Sequence, residues 1–260
     1  MAADLACGFL QYNDGRLYYE ANGSGPALVF VHGFSLDRRM WRLQSEHFRG
    51  CFQVIAYDCR GFGRSSAPIA PYSHVDDLQH LLDYLGVGRA HLAGLSMGGR
   101  IAINFALAEP GRVQSLSLIS ADVGGYSFRI DWDPAGDTLE MMKASWLGHE
   151  IFAQARARPA IFAQLKEMVG DYSGFHWKGA DPRWPSDTDA VSRLARIAAP
   201  TAVLVGGRDH PDFLAIAALL TSQIRQARLF VIAGAGHLAV MEQPTACNRL
   251  IESHVTASAP

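Results

Sequence analysis

Cysteine is scarce in this chain. Cys7, Cys51, Cys59 and Cys247 are scattered through 260 residues, and no two form a Cys-x-x-Cys pair. That pattern excludes a zinc knuckle, thioredoxin-type redox chemistry and a disulfide-built miniprotein. The thiols read as those of a protein in a reducing cytoplasm. An excess of either charge is missing too. Lys and Arg number 23 against 25 Asp and Glu, a formal net charge of −2, which removes the electrostatic case for a nucleic-acid partner. No apolar run approaches the roughly 18 residues that cross a bilayer, so no membrane partner is expected. The start, Met1-Ala2-Ala3-Asp4-Leu5-Ala6-Cys7, lacks the basic segment and apolar stretch of a secretory leader. Internal repeats and low-complexity tracts are also absent. No clustered His and Asp set suggests a metal, and the glycine turns do not read as a dinucleotide fingerprint, so no cofactor is implied.

Hydrophobic residues make up 49% of the chain and charged ones 18%. Its length suits one large α/β domain or two small ones with ample core. Apolar runs alternate with amphipathic helical patterns, the signature of a mainly parallel sheet wrapped by helices. Gly8 to Tyr12 and Arg16 to Glu20 alternate around Asn13-Asp14-Gly15, which predicts an antiparallel hairpin at the sheet edge. Strands are predicted at 27–31, 53–57, 90–93, 113–119, 201–205 and 228–232. The first of these is a continuous apolar run of the kind a strand buried on both faces requires. Helices are predicted over 75–85, 97–108, 212–226 and 245–255. In the first, Leu78, Leu81, Leu82 and Leu85 share one face.

One stretch breaks the alternation. Gly124 to Ser192 has no clear buried strand, carries helical pieces near 138–147 and 160–169, and ends in the Pro-rich segment Asp181 to Pro185. Trp132, Trp146, Trp177 and Trp184 lie in it, with Phe128 and other aromatics. Such an insertion is expected to cap the sheet edge, with residues 1–123 and 193–260 forming the core and 124–192 the cap. Some of its aromatics form the cap's own small core. Others, with Phe128, Trp132, Trp146 and Trp177 as candidates, are expected to face an apolar part of a small-molecule substrate. The cations Arg129, Arg156, Arg158 and Lys178 of this stretch read as solvated.

Gly94-Leu95-Ser96-Met97-Gly98-Gly99 follows a predicted strand and opens a predicted helix. Gly-x-Ser-x-Gly in that setting is a nucleophile elbow, a tight turn that exposes the serine hydroxyl. The helix N-terminus directs free N–H groups at the same point. A serine needs a base, and the base a third group to hold it. Gly206-Gly207-Arg208-Asp209 leaves a later strand, and Ala233-Gly234-Ala235-Gly236-His237 leaves the last one. The order Ser96, Asp209, His237 is the one expected for a triad on this architecture. After the first buried strand comes Val31-His32-Gly33-Phe34. The backbone N–H groups of Phe34 and Met97 are the natural pair for an oxyanion hole. His32 is read as shaping that loop, because His237 already occupies the base position.

These residues resemble the α/β-hydrolase family over nearly the whole chain. The resemblance extends to Asp58-Cys59-Arg60-Gly61-Phe62-Gly63-Arg64-Ser65 and to Gly236-His237-Leu238 through Glu242-Gln243-Pro244. In the family, the loop with Asp58 and Arg60 is mainly structural. The resemblance implies a mostly parallel, doubly wound sheet with the N-terminal hairpin and the helical cap. Serine at the elbow separates the chain from the family's dehalogenases and epoxide hydrolases, which use aspartate there. The chain looks most like the carboxylesterase and 3-oxoadipate enol-lactonase branch, implying ester or lactone hydrolysis through an acyl-enzyme. C–C hydrolysis of diketone meta-cleavage products and cofactor-free perhydrolysis remain alternatives. A non-catalytic receptor on a hydrolase scaffold is the reading from outside catalysis. Asp122, after the preceding strand, and Asp212 compete with Asp209, since some members supply the acid from the position of Asp122.

Overall fold

Eight strands form a single sheet in the computed structural model, which describes residues 6–12, 15–178 and 189–258. The expected hairpin is β1 (Ala6–Tyr12) and β2 (Gly15–Asn22), antiparallel from Ala6 opposite Ala21 to Tyr12 opposite Gly15. Part of its turn, residues 13–14, lies outside the described residues. Then come β3 (Ala27–Val31), β4 (Gln53–Tyr57), β5 (Ala90–Leu95), β6 (Val113–Ile119), β7 (Thr201–Gly206) and β8 (Ala227–Ile232). The spatial order is β1-β2-β4-β3-β5-β6-β7-β8, and every pair from β4 to β8 is parallel. A parallel sheet needs long crossovers, and helices supply them.

All residues of β3, β5 and β7 are buried, as continuous apolar runs covered on both faces must be. The last strand differs. In β8, Leu229 is 41% and Val231 59% exposed, because this strand has a neighbour on one side only.

Helices α1 (Arg42–Phe48), α2 (His74–Tyr84) and α3 (Met97–Ala108) follow β3, β4 and β5. The sequence pattern did not predict α1. It has seven residues and buries only Gln44 and Phe48, too few to show a periodicity. Ser73 caps α2 by accepting hydrogen bonds from Val75 and Asp76, and Leu78, Leu81 and Leu82 are fully buried on its inner face. Between β6 and β7 lie α4 (Leu139–Gly148), α5 (Ala153–Arg156) and α6 (Pro159–Asp171). The backbone N–H groups of Ala190 and Val191 both donate to Gly124 O, which brings the two ends of this segment together. The Pro-rich piece 181–185, with Trp184, is outside the described residues.

The C-terminal part contributes α7 (Pro211–Gln223), α8 (Ala239–Glu242) and α9 (Pro244–Ala257). Helix α7 stops three residues before the expected end, since Ile224 turns to extended backbone and feeds β8. Helices α1 and α9 pack together, as do α2 and α3, while α7 covers β7 and β8. Among the described residues no helix is long and apolar enough to cross a membrane.

Candidate active site

The carboxyl ends of β3, β5, β7 and β8 carry the loops that the sequence singles out, where a parallel sheet gathers its ligand-binding groups. Ser96 joins β5 to α3 at φ 54° and ψ −115°, a left-handed conformation that costs a non-glycine residue about 1–3 kcal/mol. The surrounding contacts hold it there. Ser96 N–H donates to Ile119 O at 3.0 Å, and Ser96 O accepts from Arg100 and Asp122 N–H at 3.1 Å each. The turn is so tight that a Cβ on Gly98 would collide with the carbonyl oxygen of Val31, and one on Gly94 with that of Gly98. Backbone approaches backbone here, so both positions demand glycine.

His237 lies 3% exposed in the loop after β8, and Phe213 packs over its ring with centroids 4.2 Å apart. Asp209, on the turn leaving β7, meets it. Its carboxylate oxygens are 3.2 and 3.3 Å from His237 Nδ1. One of them also accepts the N–H of His210 at 2.8 Å, which fixes the carboxylate's plane. The two competing acids are engaged elsewhere. Asp122 pairs with Arg100 at 3.1 Å. Asp212 accepts the backbone N–H groups of Arg129 at 2.8 Å and Ile130 at 3.0 Å, so it anchors the start of the β6–β7 segment.

Phe34 follows β3 and packs edge-on against Phe62, Trp146 and Tyr172. Among the described residues, the turn and loop hydrogen bonds use neither the Phe34 N–H nor the Met97 N–H as donor. His32 is fully buried, and its ring spans two loops. Nδ1 lies 2.8 Å from Gly33 O, and Nε2 accepts from Cys59 N–H at 2.9 Å. Burial lowers its pKa. That places the proton on Nδ1 of a neutral ring and leaves no capacity for base chemistry. The Asp58 loop is a structural buttress. Arg60 and Asp77 form a buried pair at 2.6 and 3.1 Å, and burial raises the Asp77 pKa against that pairing.

Two compartments meet at Ser96. The larger, about 250 Å³, is lined by Met97, Arg100 and Asp122 from the sheet side and by Phe128, Trp132, Trp146 and Trp177 from the β6–β7 segment. All four aromatics singled out in the sequence therefore line one cavity. The smaller, about 10 Å³, is bounded by His237 and Leu238, by Leu36, and by Ile151 and Phe152. Phe34, Ser96, Trp132 and Trp146 belong to both walls. Trp146 has a second task, because its indole N–H donates to Ser35 Oγ at 2.7 Å. Ser35 sits at φ 62° in the loop after β3, so the β6–β7 segment holds a strained residue beside Phe34.

Sequence reasoning missed a cluster behind the histidine. Glu242, its side chain fully buried, accepts Gly236 N–H at 2.7 Å and pairs with Arg158 at 3.2 Å. Arg158 also donates to Gly234 O at 2.7 Å and Gln154 O at 2.8 Å. This cation was expected in solvent, but its side chain is only 28% exposed because three acceptors surround it. Arg156, half-buried, is likewise spent on the carbonyls of Leu147 and His149. Arg129, 77% exposed beside Asp212, and Lys178, exposed with its ammonium donating to Ser173 O, fit the solvated reading. The one signal for Glu242 was its fixed place five residues after His237, which carries no role by itself. Among the described residues no group of three or more His, Cys, Asp or Glu side chains is arranged to hold a metal.

Comparison with known proteins gives a consistent result. The model of a family described as "Alpha/beta hydrolase family" matches residues 28–250. The chain is 30% identical to a 2-hydroxy-6-oxononadienedioate/2-hydroxy-6-oxononatrienedioate hydrolase of Burkholderia vietnamiensis, over 91% of this chain and 89% of that protein. It is 28% identical to 3-oxoadipate enol-lactonase 2 of Acinetobacter baylyi, over 94% of each. Among solved structures, Est816, described as an N-acyl homoserine lactone degrading enzyme, superposes with a TM-score of 0.82 at 32% identity. That match covers 95% of this chain and 99% of the other.

Proposed function

Because the chain belongs to the alpha/beta hydrolase family, we propose that it is a serine hydrolase of carboxylic esters or lactones with a partly apolar substrate. Residues 1–123 and 193–260 are its core and 124–192 its cap. The observation that carries this reading is the contact of Asp209 with Nδ1 of His237, a histidine that shares the wall of one compartment with Ser96. With Nδ1 facing a carboxylate, Nε2 of the neutral imidazole is left as the proton acceptor.

In the proposed cycle His237 takes the Ser96 proton as Oγ attacks the carbonyl carbon. The resulting oxyanion accepts from the Phe34 and Met97 N–H groups, held in place before reaction so that no reorganisation is required. His237 then protonates the leaving alkoxide, and Asp209 stabilises the imidazolium. A water, deprotonated by His237, releases the acid from Ser96. Ser96→Ala is expected to lower turnover of an ester such as methyl phenylacetate by several orders of magnitude, and a fluorophosphonate probe to label the wild-type protein but not this variant. Turnover of the variant within about tenfold of wild type would remove the serine from the mechanism.

C–C bond hydrolysis is the second reading, supported by the 30% identity to the hydrolase of Burkholderia vietnamiensis. It uses the same residues on a different bond. Parallel assays on an aryl ester, a lactone and a dienoate C–C substrate separate the two, and a dienoate preferred over all esters would favour the second.

A further inference from the structure

We propose that this site, read as a serine hydrolase, sorts esters by size in one direction: a bulky apolar or aromatic acyl group with a small leaving alcohol. The inference rests on the proposed function and on the unequal spaces that meet at Ser96.

His237 lines the small compartment and not the large one. In the acylation step the Oγ–carbon bond forms, the carbon–alkoxide bond breaks, and the proton taken from Oγ passes through His237 to the alkoxide. The leaving oxygen must therefore lie within hydrogen-bond reach of His237, and its first carbons enter the space that His237 bounds. The acyl substituent leaves the carbonyl carbon in another direction, toward Met97, Phe128 and Trp177.

The small space, about 10 Å³, is at the lower limit for holding one water molecule. That suits the water that hydrolyses the acyl-enzyme, and methanol asks the walls for the least displacement of any alcohol. A benzyl group does not fit. The walls resist expansion, since Ile151, Phe152 and Leu238 are all buried. Phe152 also packs edge-on against Trp146 at 5.5 Å, and Trp146 is held by its hydrogen bond to Ser35. The large compartment is about 250 Å³ and aromatic on its cap side, ample for a phenyl ring.

Methyl phenylacetate and benzyl acetate test this. They are isomers whose alcohols leave with similar ease, so a difference in kcat/KM reports how the two ends fit. The wild-type protein is expected to prefer methyl phenylacetate by at least about tenfold. Phe152→Ala and Ile151→Ala, which enlarge the small space, are each expected to narrow that ratio through a gain on benzyl acetate. Either variant serves if the other fails to fold. Equal rates on the isomers, a preference for benzyl acetate, or a ratio unchanged in the folded variants overturns the proposal. Fluorophosphonate labelling of the wild-type protein, run in parallel, separates the two levels. A protein that neither labels nor hydrolyses either ester overturns the serine-hydrolase reading and this one with it. A protein that labels and hydrolyses both without preference overturns only the sorting by size.

Discussion

Replacing Arg158 with alanine isolates what one guanidinium contributes to the loop that carries His237. Arg158 belongs to the β6–β7 segment yet bonds Gly234 O and Glu242, on either side of that histidine, as well as Gln154 O. Its side chain is 28% exposed, so water replaces part of what the two carbonyls lose. Each such bond then contributes about 0.5–1 kcal/mol. Glu242 has no such relief: with its side chain wholly buried, its charge would keep only backbone N–H groups, chiefly that of Gly236, at a cost of about 1–2 kcal/mol. The sum is about 2–4 kcal/mol, and in a chain of this length it lowers Tm by roughly 5–10 °C in thermal unfolding followed by circular dichroism. Burial already raises the Glu242 pKa, and Arg158 is one of the groups that oppose the shift. Its removal pushes that value higher still. A carboxyl whose folded-state pKa lies above its unfolded value loses stability as pH rises through the folded value. The deficit of R158A is therefore larger at slightly alkaline than at mildly acidic pH. Glu242→Gln keeps an acceptor for Gly236 N–H and removes the stranded charge, so the double variant should melt above R158A. An R158A protein within about 1 °C of wild type, or a double variant below R158A, would refute the reasoning.

Two further outcomes follow from the same structure. Asp209→Asn is expected to lower ester turnover by about three to four orders of magnitude by upsetting the His237 tautomer, while Asp122→Asn, which faces Arg100 instead, retains turnover within about tenfold. The reverse ranking in steady-state kinetics would move the acid to the end of β6. Burial pushes the His91 imidazole down to about 4, with His254 and Arg89 adding to the effect. The unfolded chain takes up that proton near its ordinary value while the folded one does not, so this share of stability is complete above about pH 6.5 and is lost as pH falls toward the folded value. Denaturant titrations should find His91→Gln less sensitive to that pH range, by about 2 kcal/mol once solvent screening is allowed for, with His32 and His254 supplying a residual slope, and equal slopes for the two proteins would count against it.

What could be read before the structure, and what could not, follows from the range of the interactions involved. A strand buried on both faces must be apolar throughout, so β3 and β7 announce themselves in the sequence. The run that makes β8 looks the same, yet Leu229 and Val231 face outward, because an edge position depends on strand order and the run does not encode it. The site divides in the same way. Ser96, Asp209 and His237 were visible because each sits in a short local pattern at a strand end. Local pattern favours Asp209 over its competitors Asp122 and Asp212, and what separates the three in space is a partner distant in the chain: Arg100 for Asp122, His237 for Asp209, the amides of Arg129 and Ile130 for Asp212. Arg158 resembled any surface cation because its carboxylate lies 84 residues away. Trp146 resembled any pocket aromatic because nothing local points its indole N–H at Ser35, 111 residues before it. Local pattern thus identifies groups suited to chemistry. The residues that hold those groups in position are chosen by long-range pairing, and several of them come from the segment that breaks the alternation of strands and helices.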